Sequence, residues 1–99
     1  MQILRTREFA TWLNSLRDRQ GRAKIMARID RLEEGNPGKT RSVGGGVVEM
    51  KIDFGPGYRV YFVQHGEVVI VLLCGGDKSG QEKDIQRAKA LASLLTEVE

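Results

Sequence analysis

The chain is poor in the side chains that build metal centres and covalent cross-links: it has one histidine and one cysteine in 99 residues. A metal site made from these types needs several of them at close spacing, and nothing joins His65 to Cys74, so no metal ligand set is expected. A single cysteine also excludes an internal disulfide. Cys74 ends an apolar run and suits the role of a small buried hydrophobe. No nucleophile–base–acid triad can be assembled around His65, which the sequence places with Gly66 at a two-residue hairpin turn. Long hydrophobic runs are missing too. The longest, Val68 to Cys74, falls far short of the roughly 20 residues that a membrane-spanning helix needs. The N-terminal pattern is amphipathic and has no signal-peptide core, so a cytoplasmic location without membrane association is expected. Gly44, Gly45 and Gly46 follow no predicted strand and open no helix, which excludes a dinucleotide or phosphate-loop fingerprint and leaves no cofactor implied. No repeat or low-complexity tract interrupts the chain, and one domain over residues 1–99 is expected.

What is present is a globular composition, 40% hydrophobic and 29% charged, with an uneven spread of charge. Residues 1–45 hold ten Arg/Lys against five Asp/Glu, whereas residues 46–99 hold six against eight. Such asymmetry suits a basic face for nucleic acid or an acidic partner, and equally an ordinary solvated helix surface.

Periodicity orders the elements. Gln2 to Arg5 is a short candidate edge strand, and Thr6 can cap a helix with Glu8 in its positive first turn. Phe9, Trp12, Leu13 and Leu16 recur at helical spacing until Gly21 breaks the pattern. Ile25, Met26, Ile29 and Leu32 form the stripe of a second helix that ends at Gly35. The two helices form a hairpin with Arg17, Arg19, Arg22, Lys24, Arg28 and Arg31 outside. Residues 35–46 have the composition of a loop. From Val47 the period becomes two: Val48, Met50, Ile52 and Phe54 face one way, Val47, Glu49, Lys51 and Asp53 the other. After Gly55-Pro56-Gly57, Tyr58, Val60 and Phe62 share one face and Arg59, Tyr61 and Val63 the other. Val68 to Cys74 is apolar on both faces, as a central strand would be. Ser79-Gly80-Gln81-Glu82 fits a capping box, opening a helix with the stripe Ile85, Ala88, Leu91, Ala92 and Leu95. The predicted order is β-α-α-β-β-β-α, an α+β fold with a curved, mostly antiparallel sheet and an N-terminal helical hairpin on one face. That packing leaves Glu49, Lys51, Arg59 and Tyr61 on the opposite face, where function is to be sought.

The chemistry on that face is cationic: Lys39, Arg41, Lys51, Arg59 and Lys78, with Glu49 and Tyr61 beside them. An arginine inside a hydrophobic strand, with a lysine in the glycine-rich turn after the next strand, forms a rigid site for phosphate. RNA cleavage requires a base for the 2′-hydroxyl, a cation for the charge that grows on phosphorus, and an acid for the leaving oxygen. Arg59 suits the cation role, and Lys51 or Glu49 the base role if its surroundings shift its pKa. Arg59 and Glu49 are equally able to form an ordinary cross-strand ion pair, and Lys78 to be a surface lysine beside a helix cap.

The string from Val48 to Phe62 (VEMKIDFGPGYRVYF), then Leu72 to Ser79 (LLCGGDKS), Gln81, Asp84-Ile85 and Ala88, resembles the "addiction module killer" group of the RelE/ParE superfamily, phage-derived HigB-like toxins. The resemblance spans nearly the whole chain. It implies a RelE-like α+β fold and the toxin of a type II toxin–antitoxin pair, an endoribonuclease that cleaves mRNA on the ribosome without a metal. It also implies a cognate antitoxin, in this group often a small helix-turn-helix protein, through which operator DNA is bound. Arg59 matches the strand arginine that contacts the scissile phosphate, Lys51 a basic residue on the preceding strand, and Lys78 lies near a second phosphate-binding cation. Glu49 joins them as a catalytic candidate, with Lys39, Arg41 and Tyr61 as RNA-binding candidates. A tyrosine found in RelE near its last helix is replaced by Asp84-Ile85, which leaves the general acid open between Tyr61 and Lys78. The ParE branch implies gyrase inhibition instead, and a catalytically silent antitoxin- or DNA-binding module is the third reading.

Overall fold

Thr6 starts the first helix as its sequence predicts. Its hydroxyl accepts from Phe9 N at 3.0 Å and donates to Leu73 O at 2.6 Å, so the cap also pins the helix start to the sheet. The computed structural model describes residues 1–98, with side chains described through residue 95. Its elements are β1 (Gln2–Arg5), α1 (Arg7–Ser15), α2 (Arg19–Glu33), β2 (Thr40–Gly44), β3 (Val47–Ile52), β4 (Tyr58–His65), β5 (Val69–Gly76) and, after a 3₁₀ turn over Lys78–Gly80, α3 (Gln81–Val98). The sheet order is β1-β5-β4-β3-β2, with β1 parallel to β5 and the other pairs antiparallel. The α+β class and the mostly antiparallel sheet are therefore as expected.

Four local expectations are corrected. Residues 35–46 are not all loop: Thr40–Gly44 pairs with β3 as a fifth strand, which its short polar sequence conceals. Gly21 does not separate the helices. Asp18 caps α2 by accepting from Gly21 N at 2.9 Å, and Gly21 lies buried in the first turn, where a Cβ would strike the Tyr58 ring and the Asp18 carboxylate. His65 is not at a turn tip but is the last residue of β4, paired with Val69, and the connection runs through residues 66–68 with Gly66 at φ +63°. Ser79 is not the cap of the last helix. It lies inside the 3₁₀ turn before that helix, and Asp77 caps this turn by accepting from Ser79 N at 2.9 Å.

Two cores lie on opposite faces of the sheet. Phe9, Leu13, Ile25, Ile29 and Leu32 of α1 and α2 pack on Met50, Ile52, Tyr58, Val60, Phe62, Ile70 and Leu72. Ala88 and Ala92 of α3, with Ile85, Leu91 and Leu95 beside them, pack on Val47, Tyr61, Val63, Val71, Leu73 and Cys74. The second face is thus half covered. Small alanines let α3 approach the sheet closely over β4 and β5, and only the end near β2, β3 and the start of β4 stays open. Not every hairpin cation stays outside: the Arg28 guanidinium donates to Lys51 O at 2.7 Å and Pro37 O at 3.0 Å, fastening α2 to β3.

Candidate functional site

Two rungs of the sheet build the site. In one, Arg41, Glu49, Tyr61 and Cys74 stand side by side across β2, β3, β4 and β5. In the next, Lys51 faces Arg59, whose other partner is Gly76. Lys39 flanks this rung, since Lys51 N donates to Lys39 O at 3.1 Å. Strand alternation puts both rungs on the face that α3 covers in part.

The first rung is a support. Glu49 is 3% exposed, and its oxygens are fully engaged. Oε1 accepts from Arg41 Nε at 2.8 Å, and Oε2 from Tyr61 Oη and from Gln81 Nε2, both at 2.9 Å. Burial pushes this carboxyl up, but the hydrogen bonds from Arg41, Gln81 and Tyr61 outweigh it and hold the group below its ordinary range. The Tyr61 hydroxyl is driven in the other direction, upward, by burial and by the Glu49 anion that accepts its hydrogen bond.

The second rung is cationic. Arg59 is 5% exposed. Its Nη1 donates to Gly57 O at 2.6 Å, and its Nε, 3.8 Å from Glu49 Oε2, is buried without a hydrogen-bond partner among the described residues. Gly57 takes φ +77°, a conformation that glycine adopts freely, and a Cβ there would press on Arg59 Nη1. Gly76 leaves Arg59 without a side-chain neighbour on β5, because the Asp84 carboxylate fills the space a Cβ would need. Lys51 Nζ and Lys39 Nζ share Asp53, at 3.3 and 3.5 Å.

Around Arg59 lie two adjoining concavities, of about 400 and 350 Å³. Lys39, Arg41, Glu49, Lys51, Arg59 and Gln81 line the first; Lys51, Asp53, Gly57, Arg59 and Lys78 line the second. Five cations face two carboxylates, so the combined floor is positive and suits a polyanion.

The structure therefore gathers Lys39, Arg41, Lys51, Arg59 and Lys78 at one open end of the sheet. Glu49 and Tyr61 are close by but face inward. Tyr61, expected at an RNA-contacting surface, is fully buried because α3 packs over it, so neither base stacking nor proton delivery from its hydroxyl is open to it. Glu49, expected among possible bases, is buried and held as a hydrogen-bonded anion. Gln81 was missed from the sequence. Its role comes from reaching across from α3 to Glu49, 32 positions away, and no local pattern encodes such a contact. Among the described residues no helix is long and apolar enough to cross a membrane, and no group of three or more candidate ligands could hold a metal ion.

The profile of the family described as "Phage derived protein Gp49-like" matches residues 11–93. An uncharacterized protein of Haemophilus influenzae is 50% identical over 95 residues, 96% of either chain. The chain belongs to the phage derived Gp49-like family.

Proposed function

We propose that this Gp49-like protein is the toxin of a type II toxin–antitoxin pair, HigB-like in type, and that it cleaves mRNA on the ribosome. Family membership supports a toxin role. The ribonuclease reading rests on one observation: Lys51 and Arg59 stand directly opposite each other at the floor of a positive groove. Like charges directly opposite on a sheet face are destabilising, and an anion between them relieves that cost.

In the proposed reaction the RNA 2′-hydroxyl attacks the adjacent phosphorus. The O2′–P bond forms as the P–O5′ bond breaks, leaving a 2′,3′-cyclic phosphate and a 5′-hydroxyl. Arg59, anchored through Nη1 to Gly57 O, would meet the phosphate from the floor of the groove and balance the growing charge. Lys51, held beside it by Asp53, stabilises the 2′-oxygen as its proton passes to water. Lys78, an exposed cation beside the Arg59 loop, would deliver a proton to the leaving oxygen. Glu49, Tyr61 and Gln81 hold the site's shape rather than touch RNA. A cognate helix-turn-helix antitoxin would restrain the activity and carry the pair to operator DNA.

The experiment is to induce the protein alone in bacteria and map mRNA 5′ ends alongside an assay of DNA topology. Growth arrest with codon-phased cuts, lost in Arg59→Ala, is the expected result. Arrest with gyrase-linked DNA breaks and intact mRNA would replace this reading by a ParE-like one, and no arrest at all by a silent binding module.

A further inference from the structure

A third concavity continues the positive groove around the end of β3. It lies between α2 and β3, measures about 790 Å³, and is lined by Gln20, Lys24, Arg28, Arg31, Asp53 and Phe54, among others. Asp53 and Phe54 also line the pocket that holds Lys51, Arg59 and Lys78, so the two spaces meet at the Phe54 ring. Here a half-buried aromatic ring is surrounded by cations. Lys24 Nζ sits 5.3 Å from its centroid, and the core supports the ring from behind. Arg28 is fixed by two backbone carbonyls, and its Nε is buried without a hydrogen-bond partner among the described residues. Burial first, and then the neighbouring Arg31, pull the Arg28 pKa down, with Asp53 opposing. Asp53, the carboxylate in this lining, is already shared by Lys39 and Lys51.

We propose that the α2–β3 groove binds single-stranded RNA flanking the scissile phosphate, with Phe54 as a stacking platform for one base and Lys24 and Arg31 as phosphate contacts. An aromatic face set in a cationic trough is the general solution for gripping a single strand without reading its sequence. Continuity with the Arg59 groove favours RNA over an acidic protein segment, because one strand can occupy both spaces without a break. Lys24 is exposed and long enough to leave the ring for a phosphate when a base takes its place. The inference rests on the ribonuclease reading and adds to it a substrate track longer than the cleavage site.

The test uses fluorescence anisotropy with 2′-O-methyl RNA, which lacks the attacking hydroxyl. A short oligonucleotide that fills only the Arg59 groove is compared with longer ones extended on either side. The wild-type protein is expected to bind one extended strand more tightly. Phe54→Leu, which keeps the apolar packing, should lose about tenfold on that strand and little on the short one. Lys24→Ala with Arg31→Ala should lower the salt-dependence slope for the extended strand by about 1.4, at about 0.7 per lost phosphate contact. If both variants bind the extended strand like the wild type while Arg59→Ala weakens both strands, the track is overturned and the ribonuclease reading stands. If the wild type binds neither strand, the track is overturned, while the ribonuclease reading stands or falls with the mapped mRNA 5′ ends. A glutamate-rich peptide that needs Lys24 and Arg31, beside RNA binding indifferent to them, overturns the track in favour of an acidic protein partner.

Discussion

Lys51 and Arg59 are cross-strand partners on one face of the β3–β4 ladder, two cations that the fold holds against their mutual repulsion. Asp53 offsets the first at 3.3 Å and Glu49 lies 3.8 Å from the second, yet neither carboxylate lies between them. Removing one cation should therefore separate function from stability. Lys51→Ala is expected to leave the stability unchanged or raise it by about 0.2–1 kcal/mol, while it lowers RNA cleavage. Urea denaturation followed by Trp12 fluorescence, beside a cleavage assay, measures both. A large loss of stability would show that Lys51 is structural.

Glu49 is the opposite case. It is buried, and Arg41, Gln81 and Tyr61 all donate to it. Glu49→Ala strips partners from three donors and leaves Arg59 without its nearest carboxylate, so a cost of about 3–5 kcal/mol is expected. Tyr61→Phe removes one donor and leaves Arg41 and Gln81 in place, for about 1–3 kcal/mol. The same urea titration should rank Glu49→Ala as the worse of the two. The reverse order would mean that Glu49 is not the centre of the network.

Stability should depend on pH with two opposite contributions. For Glu49, burial pushes the folded carboxyl up, but the hydrogen bonds win and its pKa lies below the ordinary 4.5. That stabilisation is present in full above about pH 4.5 and is lost as pH falls through the lower folded value. For Asp84, burial and the charges of Asp77 and Glu8 raise the folded pKa above 3.8, so its ionisation at neutral pH costs stability. Asp84→Asn is expected to stabilise the protein at pH 7, with the gain vanishing in acid. Glu49→Gln should flatten the acid limb of the profile. Thermal melts across pH 3 to 8 check both signs, and an Asp84→Asn variant that melts lower at pH 7 would contradict the assignment.

Gly75 is required for space rather than for conformation. A Cβ there would drive into the Trp12 ring, which is wedged between Phe9 and Tyr58 with centroid separations of 5.8 and 6.4 Å. Gly75→Ala should cost about 1–3 kcal/mol by overpacking, and Trp12→Leu in the same chain should relieve part of that strain. Additive losses in the double variant would rule out the clash.

Cys74 should be inert in the native state. Burial, with Glu8 and Asp84 nearby, pushes its thiol up to about 12, and its Sγ donates to Asp84 O at 3.7 Å. Labelling by a thiol reagent at neutral pH is expected to be negligible until denaturant unfolds the chain, with labelling and fluorescence transitions coinciding. Rapid labelling of the folded protein would mean that α3 lifts from the sheet.

The sequence alone determined which residues share a face. Strand alternation put Lys51 with Arg59 and Glu49 with Tyr61, and helical spacing put Phe9, Leu13, Ile25 and Ile29 toward one core, because both periods are fixed by local backbone geometry. The caps at Thr6 and the α3 stripe were legible for the same reason. Tertiary structure decided the rest. Thr40–Gly44 became a strand because β3 offered it a hydrogen-bonding edge; Thr40 and Val43 favour strands, but five residues set among glycines carry no alternating apolar pattern to mark one. The fate of Glu49 and Tyr61 was settled by where α3 docks. Its apolar stripe says that it must bury a face but not which part of the sheet receives it. That choice turned a carboxylate and a phenol from candidate reagents into scaffold, and it left Lys39, Lys51 and Lys78 around the open end, with the buried Arg59 at its floor.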